Sequence, residues 1–200
     1  RLSEAVDIFE ELTKNEMDLR LEAAAANELE ENFKNDERFV VPNVYWELTT
    51  KRMLVTSWID GIKINDLDSL RSGKYNIETI TKNSAEAFFL QVFRDGFFHA
   101  DMHQGNIFVD NSGQIVPIDF GIMGRLDKLS KRFLAEILYG FIQRDYKKVA
   151  EVHLAAGLVP KNVPVDDLSQ ALRSIGEPIF GHSVKDIPAG KLLKQLFDVT

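Results

Sequence analysis

The sequence predicts an α+β protein in which a small strand-bearing piece, residues 1–58, precedes a hinge and a mainly helical lobe, residues 59–200. Three observations carry that prediction: an Ala- and Glu-rich helical pattern at the start, two β-rich runs between residues 44 and 58, and helical periodicity from Leu126 onward. With 44% apolar and 28% charged residues over 200 positions, the chain can bury a real core, and collagen-like or disordered readings fall away. There is no cysteine, which excludes disulfides, thiolate nucleophiles and cysteine-based metal sites. A net charge of −7 supplies no concentrated cationic face, so nucleic acid is not an expected partner.

Each element has its own signal. Leu2, Ala5, Val6, Phe9 and Leu12, then Leu19, Ala23, Ala26 and Leu29, fall near helical spacing, so residues 2–35 read as helix, in one or two segments. Val44-Tyr45-Trp46-Glu47-Leu48 and Met53-Leu54-Val55-Thr56-Ser57-Trp58 read as an antiparallel strand pair. Asp60-Gly61 breaks the second run, and a short helix over residues 64–71 stops at Ser72-Gly73. Asn76 is a plausible N-cap for a long helix over residues 77–95, with Gly96 as its stop. A polar loop to Asn106 then leads into a hairpin whose turn is Asp110-Asn111-Ser112-Gly113. The richest apolar stretch, residues 87–98, is interrupted by Gln91, Arg94 and Asp95, so no bilayer-spanning segment is expected. The helical patterns at both ends read as cut from a longer chain, truncated at the C-terminus.

Most of the chemical information lies in His99-Ala100-Asp101-Met102-His103-Gln104-Gly105-Asn106, followed by Asp119-Phe120-Gly121. Asp101 and Asn106 are five positions apart, and Asp119 follows Asp101 by 18 with the hairpin between them. Phosphoryl transfer from ATP needs a carboxylate near the acceptor, plus a side-chain oxygen and a second carboxylate to hold Mg²⁺ on the phosphates. The kinase arrangement is an Asp, an Asn five positions on, and an Asp-Phe-Gly after a short hairpin. Any one of these residues could simply serve a turn, but three matched spacings together make a poor coincidence. His99 reads as a hydrogen-bonding prop for the loop. A weaker reading makes His99, Asp101, His103 and Asp119 ligands of a hydrolytic metal ion, and it leaves Asn106 and Phe120-Gly121 unexplained.

Taken with Glu16-Met17-Asp18-Leu19-Arg20-Leu21-Glu22-Ala23-Ala24 and Trp58-Ile59-Asp60-Gly61, these motifs resemble the UbiB-type atypical kinases, a protein-kinase-like family linked to ubiquinone biosynthesis. The resemblance runs from about residue 3 to about residue 160. It implies a protein-kinase-like fold with a partial N-lobe (helix C and the last strands) and a helical C-lobe. It further implies that Asp101 is the catalytic aspartate, that Asn106 and Asp119 hold the metal, and that Glu22 is the helix-C glutamate pairing with a phosphate-binding lysine. By the same resemblance Thr56 is the gatekeeper, the Ser57 and Ile59 backbones bond adenine, and Glu16 with Asp18 forms the family's Glu-x-Asp signature, which in relatives lies against an N-terminal extension.

Several family features are missing. Nothing in residues 1–15 supplies the phosphate-covering loop or the strand lysine, because Lys14 lies in or beside helix. Gln104 stands where the family usually has Pro, and helix follows Gly121 too closely for a long activation segment, which makes a peptide-substrate groove improbable. The resemblance implies Mg²⁺-dependent ATP binding with ATPase or small-molecule phosphotransferase activity in quinone biosynthesis. The expected setting is cytoplasmic and peripheral to or anchored at a membrane, and these 200 residues alone are expected to show little turnover. The rival reading is a silent kinase-like scaffold that binds lipid, a quinone precursor or biosynthetic proteins. For Phe88, Phe89, Phe93, Phe97 and Phe98, core packing is the expectation over a lipid path.

Overall fold

The structure is a computed structural model, and it describes residues 18–73 and 75–180. The helix expected over residues 2–17, Lys14 and Glu16, and the amphipathic pattern near residues 191–197 lie outside them. The chain divides into two compact units, Arg1–Arg125 and Leu126–Thr200.

In the first unit, helix α1 (Leu19–Phe33) starts at Asp18, whose carboxylate accepts the Arg20 N–H at 3.2 Å. The same carboxylate holds the Arg20 guanidinium at 2.8 and 2.7 Å, which lowers the Asp18 pKa to about 2 and keeps the cap charged. Ala23, Ala26, Leu29 and Phe33 recur every three or four residues and are all buried, so one stripe of α1 faces the core.

The expected strand pair keeps its antiparallel direction but not its length. Tyr45 N–H donates to Val55 O at 2.9 Å and Ser57 N–H to Asn43 O at 2.8 Å, while only isolated bridges, Val44 to Thr56 and Thr50 to Met53, survive as β structure. The first run curls because Leu48 N–H returns to Tyr45 O at 3.0 Å, and the Thr49 hydroxyl both donates to Tyr45 O and accepts Val55 N–H.

Gly61 does not merely break a strand. It opens strand β1 (Gly61–Lys63), which pairs antiparallel with β3 (Ile107–Asp110), itself hairpinned to β4 (Ile115–Pro117). A Cβ at Gly61 would sit 2.6 Å from the Val109 carbonyl oxygen, so only glycine permits this approach. The hairpin turn is as expected: Asp110 Oδ1 accepts the Ser112 and Gln114 N–H groups at 2.9 and 2.8 Å. Phe39 bridges to Ile115 on the other side of β4.

Helix α2 (Leu67–Ser72) begins three residues later than expected because Asp66 caps it, accepting Ser69 N–H at 3.0 Å. Helix α3 (Ile77–Phe89) is capped by Asn76 as expected and continues as a π-helical turn over Leu90–Asp95, ended by Gly96 at φ 66°. The supposed loop after Gly96 begins with strand β2 (Phe97–His99), paired antiparallel with β5 (Met123–Arg125). The core here includes Leu29, Phe33, Phe39, Val109, Ile115 and Phe120. Phe97 is buried, Phe88 meets Phe89 and Phe98 edge-on at 6.4 Å, and Phe89 stacks on Phe93 at 6.0 Å, so these rings pack on one another as expected.

The second unit carries α4 (Lys128–Gln143), α5 (Tyr146–Ala155) and α6 (Val165–Phe180). Asp127 and Asp145 cap the first two, and Arg144 reverses the chain between them at φ 58°. Ile137, Phe141, Tyr146, Val149, Val152 and Leu172 form its own core. No helix of the described residues is long and apolar enough to cross a membrane.

Candidate functional site

The hairpin brings the two expected metal-holding side chains together. Ile107 pairs with Pro117, and Ile118 N–H donates to Asn106 O at 2.9 Å, so the residues flanking the hairpin's open end are neighbours. Asn106 Nδ2 consequently lies 2.6 Å from Asp119 Oδ2. The other Asp119 oxygen accepts Gly121 N–H at 3.0 Å, which fixes the carboxylate against its own turn. Both side chains offer hard oxygen donors, the type Mg²⁺ takes in combination with substrate phosphates, so the residues present fit that ion.

Glu22 reaches the same turn from α1: its Oε1 accepts the Phe120 N–H at 3.1 Å. Phe120 itself is 1% exposed. Helix α1 and the Asp119-Phe120-Gly121 turn are thereby coupled through one buried ring and one carboxylate. Asp18, one turn before Glu22, is occupied with capping and Arg20.

The loop holding Asp101 hangs on His99, which is 3% exposed. Its Nδ1 accepts the Asp101 N–H at 3.1 Å, so the neutral ring carries its proton on Nε2 and bonds the backbone of Asp119. Burial pushes the His99 pKa below its ordinary value, against the opposing pull of that backbone bond and of the Asp119 and Asp101 charges. Asp101 O accepts His103 N–H at 2.8 Å, His103 O accepts Asn106 N–H at 3.2 Å, and the Asp101 side chain is exposed. His99 thus serves as the expected prop.

The alternative four-ligand metal site does not form. Among the described residues no group of three or more His, Asp or Glu side chains is placed to hold a metal ion. His99 has both ring nitrogens committed to backbone, and His103 turns toward Gly105 and Asn106.

Ser57 and Ile59 lie in the irregular segment between the Thr56 bridge and β1. The Ser57 N–H is spent on Asn43 O at 2.8 Å and its Oγ on Asn43 N–H at 3.0 Å. Among the described residues the Ser57 carbonyl and the Ile59 N–H have no backbone partner, so they are the edge groups that could serve a ligand.

Two residues of the motif stretch have contacts that the motifs do not reveal. Gln91, on the π-helical turn, is fully buried and accepts His99 N–H on Oε1 at 3.0 Å. In the sequence it is a polar residue inside the most apolar stretch, at the start of the run that leads into the Asp101 motif. His103 contacts Asn106 at 2.9 Å, a pairing that spacing alone does not reveal.

A helix-borne glutamate, a propped Asp loop and an Asn–Asp pair closed by a hairpin define a protein-kinase-like domain. The ABC1 atypical kinase-like domain matches residues 1–153, and the chain belongs to that family. It is 41% identical over 198 residues to the "Probable protein kinase UbiB" of Pseudomonas putida and 40% identical over 200 residues to that of Pasteurella multocida. Those alignments cover 97% and 98% of this chain but only 37% and 38% of the relatives' lengths. Among solved structures, Rv3197 of Mycobacterium tuberculosis, determined in complex with erythromycin, is similar at a TM-score of 0.67 and 26% identity, over 90% of this chain and 46% of that one.

Proposed function

We propose that this chain forms part of an Mg²⁺-dependent ATP-binding site with ATPase or small-molecule phosphotransferase activity, in the service of isoprenoid-quinone biosynthesis. The observation that carries the reading is the 2.6 Å contact between Asn106 and Asp119, on a turn gripped by Glu22. That contact is an N–H···O bond, and it keeps the Asn106 amide, whose oxygen is a hard donor, beside the Asp119 carboxylate.

In this reading Asn106 and Asp119 hold the ion, which when bound neutralises charge on the phosphate oxygens. Asp101 projects from a loop whose backbone is fixed by His99, and its carboxylate accepts the proton of the attacking hydroxyl or water. Glu22 uses Oε1 on Phe120, leaving Oε2 for a phosphate-binding lysine. The Ser57 carbonyl and Ile59 N–H meet the adenine edge. Residues 1–58 then act as a partial N-lobe, and residues 59–200 as hinge and C-lobe. The names of the relatives support the kinase class and the quinone link, and the short connection from Gly121 to α4 speaks against a peptide acceptor.

The test is a nucleotide titration on the full-length protein with and without Mg²⁺. Asp119→Asn should weaken Mg-ATP binding, while Asp101→Asn should retain binding and lose turnover. Equal Mg-ATP affinity and no turnover in wild type and both variants would instead favour the scaffold.

A further inference from the structure

The geometry points to His103 as the residue that turns the Asn106 amide toward a cation, and so as a positioning residue of the site proposed above, on which this inference rests. His103 Nδ1 accepts the Gly105 N–H at 3.1 Å. A neutral imidazole with Nδ1 accepting carries its proton on Nε2 and has a donor there. Facing that donor at 2.9 Å is the Asn106 Nδ2 group, also a donor. In the other tautomer Nε2 accepts from Nδ2 but the Nδ1–H then opposes the Gly105 N–H, so either tautomer leaves one pair of donors facing each other.

Turning the amide end for end satisfies His103, because Nε2–H then donates to Oδ1. It also moves Oδ1 to the position 2.6 Å from Asp119 Oδ2, setting a carbonyl oxygen against a carboxylate. Two oxygens that close repel unless positive charge lies against both. The three side chains therefore have two self-consistent arrangements. Without a cation, Nδ2 bonds Asp119 and His103 is left with one ring N–H facing a donor, at Asn106 or at Gly105 according to its tautomer. With a cation, Oδ1 and Oδ2 both turn to it and His103 locks the amide from behind, as outer-shell donors do for metal ligands.

The ring is held for this task. A Cβ at Gly105 would lie 2.9 Å from His103 Cε1 and 3.0 Å from Nδ1, so the ring packs directly on the Gly105 backbone.

The experiment measures nucleotide affinity of the full-length protein with Mg²⁺ and in EDTA, by titration of a fluorescent ATP analogue. His103→Phe keeps a ring and removes the donor, and should weaken the Mg²⁺-dependent part of binding about 10- to 100-fold. His103→Gln places an amide N–H where Nε2 stood and should recover most of that loss. Asp119→Asn is the reference. If it loses Mg²⁺-dependence while His103→Phe does not, the inference on His103 is overturned and the metal reading stands. If neither loses it, the metal reading itself falls. A loss in His103→Phe that His103→Gln fails to recover, or one equally large in EDTA, assigns His103 to loop packing and overturns the inference as well.

Discussion

Gln91 offers a test in which two opposed effects of similar size can be separated. Its side chain is fully buried, its Oε1 accepts the His99 N–H at 3.0 Å, and its Nε2 has no partner among the described residues. Replacement by Met keeps the length and volume but leaves the His99 N–H unpaired, at a cost of about 1–3 kcal/mol. The same change removes an unpaired buried donor, which returns a similar amount, so Gln91→Met should lie within about 1 kcal/mol of wild type. Gln91→Ala loses the acceptor and opens a cavity as well, and should cost about 2–5 kcal/mol. Urea unfolding followed by tryptophan fluorescence reads the first unit, since both tryptophans, Trp46 and Trp58, lie in it. Amide hydrogen exchange at His99 reads the bond itself and should speed up in Gln91→Met while global stability holds. Equal destabilisation by Met and Ala, or unchanged protection of the His99 amide in Gln91→Met, would refute the reasoning.

Three further outcomes follow from the geometry. The His99 pKa is lower folded than its ordinary 6.5, so the unfolded chain binds more protons in the window below 6.5. Stability should therefore be full above that value and fall as the pH drops through the window, and unfolding midpoints from pH 7.5 to 5 should flatten in His99→Asn, which keeps an acceptor at the Nδ1 position. Glu22→Ala should leave Phe120 N–H unpaired, at about 1–3 kcal/mol, whereas Glu22→Gln keeps an acceptor and should cost little; exchange at the Phe120 amide distinguishes them. Gly61→Ala should destabilise by about 1–3 kcal/mol, because its Cβ meets the Val109 carbonyl rather than a side chain that can rotate away; calorimetry on the purified variant checks this.

What was legible in the sequence was local. Asn76 and Gly96 bound their helix because a side-chain cap and a left-handed glycine act within a few residues. Asp110 and Gly113 make the hairpin turn by the same short-range logic, and that turn is what returns Asp119 to Asn106. Strand β2 reads as loop because three residues carry no period, and its partner β5 lies 24 or more positions away. Residues 44–48 read as strand on their β-rich composition, which the Thr49 hydroxyl and the tight turn override.

The spacing of Asp101, Asn106 and Asp119 belongs to the sequence alone, since helix, loop and hairpin lengths are set by residues near each of them. Packing decided the rest: that Gln91 and His99 hold the Asp101 loop, that Glu22 meets Phe120 across 98 positions, and that His103 stands behind Asn106. Those contacts join polar groups from distant segments, and buried polar groups take their partners from whatever the fold places nearby, which a linear pattern does not encode.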